Sequence, residues 1–334
     1  MSDTPPLFLT DQHVSELVTL NDAIAALEVM LRREAQGLAH NIPKALATFA
    51  ERSSLHGLGS FSEDAALGGF KTWINTPGGA SAVMSLFDTD RGGFRALVQA
   101  GLLGQLRTAG ISGLATDWLA PAEARDMAII GTGRQATLQI ASVAVVRRIS
   151  RLRVYSPNAD SRRDFTARMR GLFSFEIVDC DSAESALRDA EIVTIVTRAR
   201  APFIHAGMIA DDAHVNAVGA ILPANAEIEA DVLARARVVA VDSIAGVRRN
   251  SRELIDFYGE DEAAWQAVQT LGRIIAAGRQ PRRPAGMTLF KSMGMGLSDL
   301  AMAEMILDRA AARGCGIPLE GPKVMPLARW SEKA

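Results

Sequence analysis

Two hydrophobic rhythms divide the chain near residue 120. Before it, apolar positions alternate in short runs between one helical stripe and several extended segments. Leu7-Phe8-Leu9 reads as a strand. Ile24, Leu27, Met30 and Leu31 recur at helical spacing, which predicts a helix from Leu20 to about Gly37, with Asn21 as N-cap and Asp22 in the first turn. Pro43 disfavours helix at Ile42 and carries Lys44 into an extended segment. Candidate strands follow at Leu46–Phe49, Phe70–Ile74, Ser81–Phe87 and Phe94–Val98. Gly68-Gly69, Thr76-Pro77-Gly78-Gly79 and Asp88–Gly93 punctuate them. Consecutive strands joined by short turns predict an antiparallel sheet with helical cover. A helix is expected over Leu103–Leu119.

After residue 120 strands and helices alternate. Strands are predicted at Met127–Ile130, Leu152–Tyr155, Phe175–Val178, Ile192–Ile195, Val215–Val218 and Val238–Val241, with helical stretches between them. Each crossover is long enough for a right-handed βαβ unit, so the fold class is α/β with a doubly wound parallel sheet. A helix over Glu262–Ala277 and a strand over Met287–Phe290 complete this region, and Gly294-Met295-Gly296 breaks it. A last amphipathic helix runs from Leu297 to Arg313, with Leu300, Ile306, Leu307 and Ala310 on one face. Coming after the sheet, it is free to return to the first part of the chain.

The first strand of that alternation leads into Gly131-Thr132-Gly133-Arg134-Gln135-Ala136. This is the dinucleotide fingerprint with alanine as its third small residue. The first glycine permits the turn, and the second lets backbone approach a pyrophosphate. The third small residue lets the following helix pack close to the strand, with its N-terminus facing the phosphates. An empty structural turn can match the same spacing, but here the strand before and the helix after both fit. The next strand ends at Tyr155-Ser156-Pro157-Asn158, with no carboxylate before Asp160 and with Arg162 and Arg163 close behind. An NAD site usually carries an acid at this tip. Its absence beside arginines favours NADP over NAD, unless both arginines are only the solvated face of the next helix. Arg107-Thr108 lies inside a run that is otherwise small and apolar, continuing from Ala109 to Ala115, and the cation needs a partner there: either a salt bridge or snorkelling side chain, or an anion site facing the cofactor cleft.

Composition adds mostly exclusions. The 334 residues suffice for two domains with sizeable cores, and a hydrophobic content of 48% with 22% charged residues is that of a soluble globular protein. A net charge of −2 gives no electrostatic reason to expect nucleic acid or an anionic membrane. Cys180 and Cys315 make no disulfide framework and no metal-ligand spacing, so no metal is expected and a reducing cytoplasm fits. No secretory signal and no membrane-spanning run is read.

Several stretches, taken in order, carry a resemblance. They are Gly69-Phe70-Lys71, Ser85-Leu86-Phe87-Asp88, Leu106-Arg107-Thr108-Ala109, Ile130–Ala136, His214–Gly219, and Phe290-Lys291-Ser292-Met293-Gly294 followed by Ser298-Asp299-Leu300-Ala301. With these the chain resembles the ornithine cyclodeaminase/mu-crystallin family over nearly its whole length. The resemblance implies a Rossmann-type doubly wound parallel sheet, residues 121–296, inserted in a smaller α+β substrate and dimerisation domain. That domain would comprise residues 1–120, completed by 297–334. It also implies a homodimer, NAD(P), and hydride transfer at the α-carbon of an amino acid or its imine. Members include cyclodeaminases, alanine dehydrogenase, opine-type enzymes and reductases of ketimines such as pyrroline-2-carboxylate.

The resemblance carries over residue by residue. Lys71 and Arg107 match positions that hold the substrate α-carboxylate; a third such position, usually Arg, is Lys44 here, which keeps the charge and loses the bidentate fork. Thr108 is placed near the cofactor phosphates, and the nicotinamide near Val218-Gly219. Cyclodeaminase-like members carry an acid/base Asp two residues after this glycine, where the chain has Ile221. Asn225, Glu227 or a water stand as substitutes. Reduction of an already electrophilic imine needs less proton machinery, and Lys71 is the candidate proton donor, since neighbouring cations lower a lysine pKa. Asp299 either faces the cleft or caps the last helix. Three classes follow: an NAD(P)H-dependent imine reductase or amino-acid dehydrogenase, a cyclodeaminase with bound NAD, and a cofactor- or ligand-binding protein without turnover.

Overall fold

The computed structural model describes residues 5–50, 53–279 and 285–320. Its first sheet contains β1 (Leu7–Leu9), β2 (Ala39–Phe49), β3 (Ser53–Ser62), β4 (Leu67–Thr76), β5 (Gly79–Asp88) and β6 (Phe94–Gln99). The ladders from β2 to β6 are antiparallel, as expected, whereas β1 runs parallel to β6. β2 begins well before the predicted Leu46. Pro43 is tolerated because β2 is an edge strand, and the ladder shifts register between Ile42 and Ala45 around it. β3 was not foreseen, because its buried positions include Ser53, Ser60 and Ser62 and leave no apolar alternation to read.

The helix Leu20–Ala35 buries Ala23, Ile24, Leu27, Met30 and Leu31. Its N-cap is Thr19, not Asn21. Thr19 and Asp22 have the three-residue spacing of a capping box, and each side chain accepts from the other's backbone N–H. Asp22 also receives Arg309 of the last helix, at 2.7 and 2.8 Å.

The second sheet contains β7 (Asp126–Ile130), β8 (Arg151–Tyr155), β9 (Glu176–Asp179), β10 (Ile192–Ile195), β11 (His214–Ala217), β12 (Val238–Val241), β13 (Val268–Thr270) and β14 (Thr288–Lys291). All its ladders are parallel, in the order β13-β12-β14-β11-β10-β7-β8-β9. The order reverses between β7 and β10, which is the switch point where doubly wound folds open a crevice. The helix expected over 262–277 is instead broken. A turn of helix at Glu262–Trp265 is followed by β13, and a new helix, Leu271–Ala276, starts under a cap from Thr270. Trp265, Val268, Leu271 and Ile275 keep helical spacing, but pairing with β12 takes Val268–Thr270 for the sheet edge.

The helix Gly101–Leu119 is buried on nearly every side and joins the two halves. Ser142 donates to its Ala109 carbonyl at 2.6 Å, and Asn216 of β11 donates to its Thr116 hydroxyl at 2.9 Å. The last helix, Gly296–Arg313, returns to the first sheet. β15 (Ile317–Pro318) then pairs with β1. One core joins side chains of residues 9–119 with those of 295–310 and with Ala240, Leu271, Ile275 and Phe290 from the parallel-sheet half, and two more lie against the parallel sheet. Among the described residues, no helix is long and apolar enough to cross a membrane.

Candidate active site

A cavity of about 1040 Å³ opens at the switch point, between the C-terminal ends of the parallel strands and the inner face of the first sheet. Its dinucleotide side is built from the loop after β7. Gly131 has φ +109°, and a Cβ there would lie 2.8 Å from the Val196 carbonyl oxygen, so only glycine makes this turn. At Gly133 a Cβ would meet nothing within 4 Å, so the backbone there is open to an approaching phosphate. Thr132, Arg134 and Gln135 line the same wall, while Ala136 is buried at the start of the helix behind it. Ser156 and Asn158 line the end beyond β8, and Val218 and Gly219 line the opposite end after β11. Asn158 also caps the helix Ala159–Leu172 by accepting from Ser161 N–H at 2.8 Å.

The two arginines after β8 do not reach this wall. Arg162 ion-pairs with Asp179 at the end of β9, donates to the Ser156 carbonyl at 2.7 Å and lies over the Tyr155 ring. Arg163 pairs with Asp160 of its own helix. Arg162 therefore braces the strand tip from behind, and the expectation that it meets a coenzyme phosphate is corrected. Among the described residues, the charged side chains that line the cavity are Lys71, Arg107, Arg134 and Arg198, and no carboxylate lines it.

The inner end is organised on β4, the helix Gly101–Leu119 and the first turn of the last helix. Lys71 and Trp73 share one face of β4. Lys71 is 4% exposed and donates to Asp299 Oδ1 at 2.6 Å; Arg107 Nε lies 3.2 Å from the same oxygen. Asp299 does not cap its helix, whose N-terminal Leu297 N–H is received by Asn41 Oδ1 at 3.0 Å. Asp299 lies fully buried behind Lys71 and Arg107, and its Oδ2 has no hydrogen-bond partner. Thr108 follows Arg107 on the cavity wall, and its hydroxyl donates to Gly104 O at 2.7 Å.

Trp73 supplies an aromatic floor. Lys71 Nζ lies 4.9 Å and Lys44 Nζ 5.7 Å from its ring centre, and His56 stacks on it at 4.4 Å. Burial, then repulsion by Arg107, lowers the Lys71 pKa to about 8, although Asp299 pulls the other way. Burial and Arg107 lower Lys44 too. Burial, Lys44 and Lys71 together hold His56 down at about 4, so the imidazole is neutral near pH 7. The cluster thus gathers three cations, Lys44, Lys71 and Arg107, around Trp73 and the single buried carboxylate of Asp299.

Ile221 is 41% exposed on the cavity wall and has no proton to give. Glu227 is not available as its substitute. It is fully buried, with Oε1 accepting from Thr197 N–H and hydroxyl at 2.7 Å each and Oε2 accepting from Gly219 and Ala220 N–H at 3.0 Å each. Asp242, at the end of β12, accepts from Ser292 Oγ and from the N–H groups of Met293 and Gly294. The structural role of Asp242 had no signal in the sequence, because its partners Ser292, Met293 and Gly294 lie far along the chain; His56 and Arg198 were also not singled out.

Residues 5–314 match the model of the ornithine cyclodeaminase/mu-crystallin family. The chain belongs to this family. An iminosuccinate reductase of Paracoccus denitrificans (strain Pd 1222) is 27% identical over 327 residues, covering 94% of this chain and 99% of its own. An ornithine cyclodeaminase of Brucella suis biovar 1 (strain 1330) is 32% identical over 221 residues, covering 65% of this chain and 60% of its own. The solved structure of Thermococcus litoralis Δ1-pyrroline-2-carboxylate reductase, in complex with NADH and L-proline, superposes with a TM-score of 0.86 at 25% identity, covering 94% of this chain and 100% of that one. The parallel sheet of this family member is accordingly of the Rossmann type.

Proposed function

We propose that the protein is an NAD(P)H-dependent reductase of an α-imino acid, working in reverse as an amino-acid dehydrogenase. The observation that carries the reading is the buried Lys71–Asp299–Arg107 cluster at the closed end of a dinucleotide-shaped cleft. The loop Gly131–Gln135 would hold the pyrophosphate, and the positive φ at Gly131 with the open face of Gly133 suits that group. A bound reduced nicotinamide coenzyme would supply the hydride. Arg107 holds the substrate carboxylate and orients its C2 carbon, and Lys44, which lies over Trp73 and does not itself line the cavity, adds positive charge beside it. The Lys71 ammonium, with a pKa of about 8, supplies the proton taken up by the imine nitrogen. Asp299 orients Lys71. The exposed Ile221 and the fully committed Glu227 speak against the proton shuttling that cyclodeamination needs.

Steady loss of the reduced-nicotinamide absorbance with one member of a panel of cyclic and linear α-imino acids is the expected result. Ammonia release from a diamino acid with no net coenzyme consumption would overturn it in favour of the cyclodeaminase. Tight coenzyme binding without any turnover would overturn it in favour of a binding protein. We further propose NADPH as the preferred coenzyme, now on the cationic, carboxylate-free lining around Arg134, Ser156 and Asn158 rather than on Arg162. One charge-assisted contact to the 2′-phosphate predicts about a tenfold advantage in kcat/KM over NADH.

We also assign the homodimer to the outer face of the first sheet. Leu55, Phe70, Ile74 and Phe87 share the face opposite Lys71 and Trp73, and are 50%, 45%, 36% and 42% exposed. The neighbouring positions on that face, Ala47, Thr72, Val83 and Ser85, bring no charge, so two copies can pair on it by a twofold axis. Sedimentation is expected to show a dimer that Phe70→Glu converts to monomer; an unchanged sedimentation coefficient in the variant would refute this face.

A further inference from the structure

The coenzyme cleft has a second, hidden layer on its nicotinamide side. β10 and β11 are the strands beyond the switch point, and the loops that leave them carry Thr197 and Gly219 onto the cavity wall. The ladder between them ends where Val218 N–H donates to the Ile195 carbonyl at 2.9 Å, and the backbones meet again only farther out, where Ala226 N–H donates to the Ala199 carbonyl at 3.1 Å and Ile204 bridges Ile228. Between these points, at Thr197, Gly219 and Ala220 on the cavity side, the Glu227 carboxylate makes the connection. We propose that Glu227 is a positioning residue whose buried carboxylate ties the loop after β10 to the loop after β11, and so fixes the wall against which the nicotinamide end of the coenzyme rests.

The geometry is that of a charged acceptor. Thr197 N–H, Gly219 N–H and Ala220 N–H all point at the carboxylate, and the Thr197 hydroxyl, which itself accepts from Ala199 N–H at 3.2 Å, donates the fourth bond. A protonated carboxyl would set a donor against a donor. Burial pushes the Glu227 pKa up, while Lys291 and the bonds from Thr197 oppose the rise. The fit leaves no slack: a Cβ on Gly219 would lie 2.2 Å from Glu227 Oε1 and 2.3 Å from Thr197 N. The backbone that carries Glu227 is pinned in turn. Glu253 Oε1 accepts from Glu227 N–H at 2.7 Å and from Ile228 N–H at 3.1 Å, and its Oε2 meets Lys291 Nζ at 2.5 Å. Both members of that ion pair are buried.

This role rests on the coenzyme reading above, and the test separates the two. In Glu227→Gln either orientation of the amide turns N–H groups toward backbone N–H groups. Amide hydrogen exchange of the protein without coenzyme reads the tie directly: Thr197, Gly219 and Ala220 are expected to be protected in the wild type and to exchange faster in E227Q. Affinity reads its consequence. The dissociation constant of the whole reduced dinucleotide is expected to rise about tenfold or more, while that of ADP-ribose, or its 2′-phosphate, stays within about twofold of wild type. A merely structural role would weaken both ligands together, and that parallel loss would overturn the proposal. So would unchanged exchange at the three amides. Failure of the wild type to bind any nicotinamide dinucleotide would instead overturn the coenzyme reading and leave the exchange result standing. Should E227Q not fold, Thr197→Val removes one donor and keeps the other three, and a smaller shift in the same direction is expected; an equal fold-change for both ligands in that variant would refute the role.

Discussion

Replacing Lys71 by methionine is expected to lower kcat/KM for imine reduction by about 10²–10⁴-fold, the range of a lost general acid. Methionine keeps the length and the contact with Trp73 and removes the proton. Coenzyme affinity should change little, since Lys71 lies at the closed inner end of the cleft, away from the fingerprint loop. The pH profile supplies a second reading. Burial and Arg107 displace the ammonium downward, to about 8, from the ordinary lysine value of 10.5. Below about 8 the acid is protonated and reduction runs at its plateau. Above it, kcat/KM for reduction falls as the protonated fraction is lost, and the reverse oxidation gains. Asp299 raises the Lys71 pKa, so Asp299→Asn should move the knee to lower pH. Steady-state rates against pH for the three proteins check this. A Lys71→Met enzyme that keeps the wild-type rate, or a wild-type profile flat through pH 8, would remove Lys71 from the chemistry.

How much of this site was legible follows from where each partner lies. The dinucleotide loop is local: strand, Gly131-Thr132-Gly133 and helix are contiguous, so the spacing carried the physics. Arg107 also stood out, since a cation in a small apolar run calls for a partner, whereas Lys71 was singled out by the family resemblance alone. Their anion, Asp299, lies 228 residues from Lys71, and nothing in its own helix distinguished a cap from a buried counter-ion. Arg162 shows the reverse case. Its place behind the tip of β8 suggested a phosphate contact, but Asp179 on the adjoining strand takes it. Sequence proximity named the residue and the sheet order decided its partner. The fold behaved alike. β3 and β13 were missed because the one has too little apolar alternation and the other helical spacing; pairing with their neighbours determined both.

Replacing Lys291 by methionine is expected to destabilise the protein by about 3–5 kcal/mol, because it leaves the Glu253 carboxylate buried without its cation. Lys291, at the end of β14, is 0% exposed, and Glu253 is 6% exposed. Neither side chain can turn to water without opening the helix Arg252–Tyr258 from the sheet. The charge is not needed for its own sake. Glu253 must accept from Glu227 and Ile228 N–H, and a neutral acceptor can do that. The double variant Lys291→Met with Glu253→Gln should therefore recover most of the loss, although neither residue is restored. Urea denaturation of the wild type, both single variants and the double gives the coupling between the two sites. Additive losses would show that the ion pair holds nothing that its parts do not hold separately. Recovery in the double would place the pair as counter-charge and anchor beneath Glu227, so that the buried ions of this half of the molecule serve to keep a neutral-looking backbone wall in one position.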